Sequence, residues 1–143
     1  MKKYELTSEC IMVFGHTLYR IQSCNEFVTA SGITVKKDEL GGYIENEQNL
    51  SHDGTAWVFG NARVSGDARV MSEKDYIVLK NSWSSGRYFT YTASNGKWSV
   101  GCFYGTGEEL VAKAFNDSEL SGKCYEAAVK FVEELERIKK ENA

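Results

Sequence analysis

Three consecutive six-residue repeats over residues 54–71 constrain the fold of this chain more than any other feature. Each repeat begins with glycine and carries alanine at its third position and valine at its fifth, as in Gly-Asn-Ala-Arg-Val-Ser. Because alternate residues of a strand point to one face, the alanines and valines are predicted to point inward and the residues between them outward. Glycine permits the dihedral angles of a corner between short strands. The pattern therefore predicts a short β-solenoid.

The same phase extends upstream. Gly42 and Gln48 fall in the glycine column, and Ile44 and Leu50 fall in the alanine column, which predicts five rungs over residues 42–71. About three such rungs make one coil of a triangular β-helix, so this tract makes fewer than two coils. A solenoid that short cannot bury its own ends and needs caps or a partner chain. The glycine stands one place later than in the usual hexapeptide pattern, so the sequence does not fix the handedness.

The segment before the repeats is predicted to cap them. Residues 10–14 and 17–22 form two apolar-rich runs around Gly15 and predict a β-hairpin. Residues 33–35 predict a further short strand before the first rung.

After the repeats the periodicity changes. Residues 76–79 predict a strand, and residues 87–93 and 98–103 predict a hairpin across Asn95-Gly96. Asn-Gly between two alternating runs is typical of a type I′ turn, because both residues tolerate a positive φ.

Two helices are predicted at the end of the chain. The first covers residues 108–115, and the second begins after a Ser121 cap and ends near Lys140. Helical spacing predicts the following inward stripe on the second helix: Cys124, Ala127, Ala128, Phe131, Leu135 and Ile138. The predicted fold class is mainly β with C-terminal helices (α+β). The predicted units are an N-terminal β cap and short β-solenoid (1–72) and a C-terminal α+β module (73–143).

Composition excludes several function classes. The net charge is −3, with no basic excess in either half, so direct nucleic-acid binding is not expected. The four cysteines and two histidines are too scattered to predict a metal site, and no cofactor is expected. No apolar run is long enough to span a membrane, and no secretory leader is evident, which favours a reducing cytoplasm. His16, His52 and Cys102 lie in no nucleophile motif, so no catalytic residue is predicted.

The best candidate ligand site joins the C-terminal hairpin to the glycine-rich segment before the first helix. Backbone N–H groups and a hydroxyl at a helix N-terminus form an arrangement that binds anions. Trp83, Tyr91 and Trp98 are candidates to stack on a base. The predicted ligand-binding residues are Ser84, Ser85, Arg87, Thr90, Thr92, Trp98, Cys102, Gly105 and Thr106. In the alternative interpretation, Thr106 is the N-cap of the first helix, and the carboxylates of Glu108 and Glu109 interact with the positive end of the helix dipole.

The outer face of the repeats is a second candidate, as a partner-binding surface. Its predicted residues are Trp57, Phe59, Arg63 and Arg69. Exposed aromatic and arginine side chains are enriched at protein interfaces. The alternative is that Trp57 and Phe59 pack beneath the C-terminal module.

Two stretches carry a resemblance to a known family. The first runs from Lys3-Tyr-Glu-Leu-Thr-Ser-Glu through Gly41-Gly-Tyr-Ile-Glu and Asn49-Leu-Ser-His-Asp-Gly into the repeats. The second joins Ser84-Ser-Gly-Arg-Tyr-Phe-Thr-Tyr-Thr to Val100-Gly-Cys-Phe-Tyr-Gly-Thr and the helices. Both resemble uncharacterised phage and prophage proteins with hexapeptide rungs and a C-terminal α+β module. The resemblance implies a mobile-element origin and a small accessory protein that acts against host defence.

Three functions follow as expectations, none of them enzymatic. The first is stoichiometric capture of a small nucleotide-derived immune signal. The second is inhibition of a host defence protein through the solenoid face, as an anti-CRISPR protein does. The third is a structural role in a virion or other assembly. A homo-oligomer is expected in each case, because the short solenoid leaves ends to be closed.

Overall fold

The computed structural model describes residues 2–13 and 15–143 and has an α+β fold. Phe14, the last residue of the first predicted hairpin strand, lies outside the described residues. The elements are β1 (Tyr4–Val13), β2 (His16–Ser23), β3 (Phe27–Val28), β4 (Thr34–Val35), β5 (Leu40–Ile44), β6 (Arg63–Val64), β7 (Tyr76–Lys80), β8 (Tyr88–Thr92), β9 (Lys97–Val100), β10 (Phe103–Thr106), α1 (Gly107–Asp117) and α2 (Glu119–Glu141). Short 3₁₀ turns at Glu47–Asn49 and Glu73–Asp75 complete the chain.

The N-terminal sheet has the strand order β1-β2-β5-β6. β1 and β2 form the predicted antiparallel hairpin, although β1 begins six residues earlier than predicted, at Tyr4. β5 pairs antiparallel with β2 and parallel with β6, which lies inside the repeats. β3 and β4 form a separate two-stranded ribbon. The sheet therefore joins the N-terminal hairpin directly to the repeat tract.

The parallel contacts correct the predicted phase of the upstream rungs. Ile44 pairs with Val64, and Leu50 pairs with Val70, so each residue meets one 20 positions later. Ile44 and Leu50 therefore lie over the valine column, not in the alanine column. The 3₁₀ turn at Glu47–Asn49 lies between the two pairs, and Asn49 anchors it. The Asn49 side-chain amide is fully buried, accepts from the Glu45 and Asn46 N–H groups just before the turn, and donates to the Ala68 carbonyl of the last repeat.

The predicted inward columns of the three repeats are confirmed. The alanines at 56, 62 and 68 and the valines at 58, 64 and 70 are all at most 3% exposed. The repeat glycines at 54, 60 and 66 all have positive φ, between 41° and 72°, as the corner positions require. Arg63–Val64 is the regular strand within the repeats.

The prediction that Trp57 points outward is wrong. Trp57 is fully buried, and its ring packs edge-on against the rings of Tyr4 and Phe27 at 6.5 and 5.6 Å. Residues 55–58 form no regular strand, so side-chain alternation does not apply there. Gly41 provides the room, since a Cβ on it would lie 2.8 Å from the Trp57 ring. Phe59 is half-buried against the same core.

The C-terminal sheet is antiparallel with the order β10-β9-β8-β7. The predicted hairpin is present as β8 and β9, but Thr92 pairs with Lys97, so the connection is a four-residue loop. Gly96 has φ +65°, and Asn95 does not have a positive φ, so the turn is not of type I′ as predicted. β10 occupies the segment that the sequence analysis assigned to a glycine-rich connection.

The two helices lie close to their predicted positions, but α2 is rotated relative to the prediction. Its cap is Ser118, not Ser121. The buried residues of α2 are Gly122, Tyr125, Val129 and Val132, whereas Phe131 and Ile138 of the predicted stripe are 54% and 43% exposed. Gly122 explains this orientation, because Phe115 of α1 packs directly against its bare backbone.

Two hydrophobic cores meet at β7. Tyr76 and Val78 pack against the core of the repeats, whereas Ile77 and Leu79 pack against the core beneath the helices. This is the alternation of a strand that has a core on each face. The Tyr76 hydroxyl also donates to the Trp57 carbonyl at 2.8 Å. The unit boundary near residue 72 stays a prediction.

Candidate functional site

The predicted anion site at the start of α1 is closed by the chain itself. Gly105 pairs with Trp98 in the β9–β10 ladder and is buried, so this segment is a paired strand and not a loop of free N–H groups. Thr106 Oγ1 accepts from the Glu109 N–H at 3.2 Å, and Glu109 Oε1 accepts from the Thr106 N–H at 2.9 Å. These hydrogen bonds from Thr106 hold the pKa of the Glu109 carboxyl below its usual value. The arrangement is a capping box, so the anion prediction for Gly105 and Thr106 is wrong.

The predicted stacking ring of Trp98 is also unavailable. Trp98 is 2% exposed and packs between the rings of Phe89 and Tyr91, at 5.9 and 5.0 Å. Trp83 packs edge-on against Tyr125 at 4.8 Å. These rings build the core beneath the helices, so the base-stacking role predicted for Trp98 is wrong.

The remaining predicted ligand residues divide into buried and exposed groups. Thr90 and Thr92 are buried, and their hydroxyls are used inside the protein. Thr90 Oγ1 accepts from the Arg63 N–H at 3.0 Å, and Thr92 Oγ1 donates to Asn95 at 2.7 Å. Ser84, Ser85, Arg87 and Cys102 are exposed. Of the predicted set, the exposed residues remain available to a ligand.

A cavity of about 300 Å³ lies where the two sheets meet, and we call it the two-arginine cleft. Its lining residues are Ile11, Tyr43, Asn61, Arg63, Arg87, Tyr88 and Gly101. It brings together Arg63, predicted as a partner contact, and Arg87, predicted as a ligand contact. Tyr43 and Arg63 are direct partners in the parallel β5–β6 ladder, and the Arg63 N–H reaches across to Thr90 of the other sheet.

The two guanidinium groups converge on Gly101. Arg63 Nη1 donates to the Gly101 carbonyl at 3.0 Å, and Arg87 Nη1 lies 4.0 Å from the point where a Gly101 side chain would begin. Gly101 has φ +54° in the tight turn between β9 and β10, a conformation that favours glycine. Because Gly101 has no side chain, the space beside the Arg87 guanidinium stays open.

The electrostatics of the cleft favour an anion. Burial, with the neighbouring charge of Arg87, lowers the pKa of the Arg63 guanidinium. Among the described residues, neither arginine forms an ion pair with a carboxylate. Two like charges held close together without a counter-ion are unfavourable, and a bound anion relieves that repulsion. Guanidinium groups bind carboxylates and phosphates through paired hydrogen bonds.

Two tyrosine rings contribute to the walls of the cleft. Tyr88 is 45% exposed, and the Lys80 ammonium lies 6.0 Å from its ring centre, which adds a third positive charge nearby. On the Tyr43 side, the Arg20 guanidinium lies 4.9 Å from the ring centre. The Tyr43 hydroxyl donates to Glu9, whose charge is paired with Arg20 at 3.3 Å. The cleft therefore keeps its positive character.

A second cavity of about 200 Å³ adjoins the cleft and shares Arg87, Tyr88 and Gly101 with it. Ser84 and Ser85 also line this cavity. The Asn81 side chain organises this segment, because its Oδ1 accepts from the backbone N–H groups of residues 83 and 84, at 3.1 and 2.9 Å. The structure thus brings Ser84, Ser85 and Arg87 of the predicted set together, beside Arg63.

The predicted site residues do not include five of the lining residues: Ile11, Tyr43, Asn61, Tyr88 and Gly101. The predicted phase placed Tyr43 in the column of Asn61, whereas it pairs with Arg63. Both Ile44 and Leu50 meet a residue 20 positions later, so the two residues beyond three six-residue rungs lie after Leu50. The glycines at 42, 54, 60 and 66 are spaced by multiples of six and give no signal of this offset. Arg69 of the predicted partner surface lies outside the cleft and is exposed.

Two larger cavities have a chemistry less suited to an anion. One of about 480 Å³ is lined by Tyr91, Trp98 and Val129 but also by the carboxylates of Glu108, Glu126 and Glu133. Another of about 730 Å³ lies between β7 and the end of α2 and mixes three lysines with three carboxylates. Among residues 2–13 and 15–143, no group of three or more His, Cys, Asp or Glu side chains is placed to hold a metal ion. Neither described helix has the length and apolar content to cross a membrane.

No protein-family model, curated protein or solved structure matches this chain.

Proposed function

We propose that this protein is a phage-encoded, non-enzymatic accessory protein that acts in the host cytoplasm by stoichiometric binding against a defence system. Its two-arginine cleft captures a small nucleotide-derived anion. The observation that carries the proposal is the convergence of Arg63 and Arg87 on Gly101, with no carboxylate paired to either arginine among the described residues. The phage origin and the counter-defence role rest on the resemblance of the repeat and C-terminal motifs.

The chemistry of the cleft favours a nucleotide over a simple inorganic anion. A phosphate between the two guanidinium groups would satisfy both charges. The rings of Tyr43 and Tyr88 offer flat surfaces for a base, and stacking of a base on an aromatic ring contributes about 1–3 kcal/mol. The volume of about 300 Å³ suits a small ligand. The adjoining cavity beside Ser84 and Ser85 offers room for a second moiety.

The lining chemistry supports binding over catalysis. Within the described chain, the cleft is lined by two arginines, two tyrosines, an asparagine, an isoleucine and a glycine. This set contains no nucleophile beside a general base, which hydrolysis or group transfer by the protein would require. A ligand bound here would be held and not converted, which is the property of a protein that sequesters a signal.

The repeat tract serves this function as a scaffold, and we describe it as a short β-solenoid. The support is the parallel pairing of Ile44 with Val64 and of Leu50 with Val70, together with the buried alanine and valine columns. The N-terminal hairpin closes one side of the tract, and β7 closes another. The cleft lies at such a closure, between the repeats and the C-terminal sheet.

A protein–protein inhibitor is the second candidate function. The observation in its favour is the exposed pair of Arg69 and Met71, since Met71 is 69% exposed at the end of the last repeat. The burial of Trp57 removes the aromatic anchor that this interpretation expected. Loss of counter-defence activity in Arg69→Glu, with activity kept in Arg87→Glu, would favour this second function.

The first test is a thermal-shift screen of the purified protein. Adenosine monophosphate, cyclic AMP, cyclic di-AMP and cyclic GMP–AMP are added, with inorganic phosphate and adenosine as controls. We expect at least one nucleotide at 100 times its Kd to stabilise the fold by about 2.7 kcal/mol, because it binds the folded state alone. Stabilisation by none of the nucleotides, alongside a stable complex with a host defence protein, would count against capture of a nucleotide.

A further inference from the structure

Helix α2 carries a second apolar stripe on the side that faces away from the sheet. Its residues are Leu120, Cys124, Ala127, Phe131, Leu135 and Ile138, each three or four positions after the one before. Leu120, Phe131 and Ile138 are 58%, 54% and 43% exposed. The buried residues Tyr125, Val129 and Val132 lie on the opposite side of the helix and already pack α2 onto the protein core. One apolar stripe is enough to pack a helix onto a core, so the apolar residues of the outer stripe are not explained by the packing of α2 within its own chain.

The outer stripe exposes enough apolar area to contribute to a protein–protein interface. A large apolar side chain carries roughly 200 Å² of surface, so the three most exposed residues leave on the order of 300 Å² uncovered on each copy. An exposed apolar area of this size on a monomer is often functional. Pairing of two such faces would bury on the order of 600 Å² of apolar surface, which is the size of a weak, reversible interface.

We propose that the outer stripe of α2 pairs with the same stripe of a second copy of this chain, with the two helices antiparallel. A two-fold axis at the level of Val129 places Leu120 opposite Ile138 of the second copy. The same axis places Ala127 opposite Phe131 of the second copy. A small residue then faces a large one twice across the two-fold axis, as a self-complementary interface requires.

The charges beside the stripe fit the same pairing. In the antiparallel arrangement Lys123 lies next to Glu134 of the second copy, and symmetry gives that contact twice. Within each copy, Lys123 is already paired with Glu119 at 3.0 Å, and Glu134 is paired with Arg137. Dimerisation would therefore bury neither Lys123 nor Glu134 without a partner of opposite charge. Burial of an unpaired charge is a large unfavourable contribution to the free energy of association. Antiparallel helix dipoles also favour this orientation.

This inference is independent of the nucleotide proposal. None of the stripe residues lines the two-arginine cleft. If the protein binds a nucleotide but stays monomeric, the proposal for α2 fails and the nucleotide proposal stands. If the protein dimerises through α2 but binds no nucleotide, the nucleotide proposal fails and the proposal for α2 stands.

Sedimentation velocity of the full chain from 1 to 200 μM tests the pairing. The monomer has a mass of 16.1 kDa. We expect a species of twice that mass to grow with concentration, with a Kd in the micromolar range typical of a small interface. Phe131→Glu should raise that Kd at least tenfold. The matched control is Met71→Glu, which makes the same kind of change at a still more exposed apolar side chain outside α2 and should leave the Kd unchanged.

A charge swap decides the orientation without touching the apolar residues. Lys123→Glu should weaken the dimer, and adding Glu134→Lys should restore it, because the two side chains meet across an antiparallel pair. The proposal is overturned if the wild-type chain stays monomeric throughout. It is also overturned if a dimer forms that neither Phe131→Glu nor the charge swap alters.

Discussion

Trp57→Ala is expected to lower the free energy of unfolding by about 3–5 kcal/mol, the range for truncation of a large buried aromatic side chain. Trp57 is fully buried, and its ring fills the space between Tyr4, Phe27 and the bare backbone of Gly41. Small domains are stable by only about 5–15 kcal/mol, so this one change removes a large fraction of the total. Chemical denaturation of both proteins, compared at equal m-value, measures the loss.

Two control variants separate loss of the ring from a general effect. Trp57→Phe keeps an aromatic ring and removes a buried indole N–H that has no hydrogen-bond partner among the described residues, so it should cost much less than Trp57→Ala. Met71→Ala changes an exposed side chain and should change the free energy of unfolding by no more than about 0.5 kcal/mol. A loss that small for Trp57→Ala would mean that Trp57 does not anchor the core.

Arg87→Glu is expected to weaken binding of the best nucleotide from the screen at least 100-fold and to leave the fold intact. One charge-assisted hydrogen bond contributes about 1.5–3 kcal/mol, and the reversed charge also repels the phosphate. Arg87 is exposed and forms no ion pair within the described chain, so stability should change by no more than about 0.5 kcal/mol. Isothermal titration calorimetry at a fixed, low salt concentration measures the affinity.

Arg69→Glu is the matched control for this prediction. It makes the same change in net charge at an exposed arginine of the repeat tract outside the cleft. An equal loss of affinity in the two variants would indicate non-specific attraction of an anion to the protein and would contradict a defined site. An unchanged affinity in Arg87→Glu would exclude Arg87 from the site.

The sequence predicted what depends on local periodicity. The glycines at 54, 60 and 66, the inward alanines and valines, and the two hairpins follow from spacing alone, and the structure has them. Trp57 was predicted on the wrong side because alternation holds only in a regular strand. Its burial depends on Gly41, which lies in a different strand and makes room for the ring. Contacts of that kind are not visible in a repeat pattern.

The same distinction applies to α2 and to the cleft. Two apolar stripes compete on α2, and the one that faces inward is set by the contact of Gly122 with Phe115 of the other helix. The predicted stripe lies mostly on the outer side of α2, although Ala128 packs against the inner core. Arg87 is predicted as a ligand contact and Tyr43 is not, because Tyr43 meets the residue 20 positions later, Arg63, whereas three six-residue rungs predict an offset of 18.

A crystal structure of the protein soaked with the best nucleotide from the screen is the most direct test of the central claim. The proposal predicts phosphate oxygens within about 2.7–2.9 Å of both the Arg63 and the Arg87 guanidinium groups. It also predicts the base against the ring of Tyr43 or Tyr88. Density for the nucleotide elsewhere on the protein, with the two-arginine cleft empty, would contradict it.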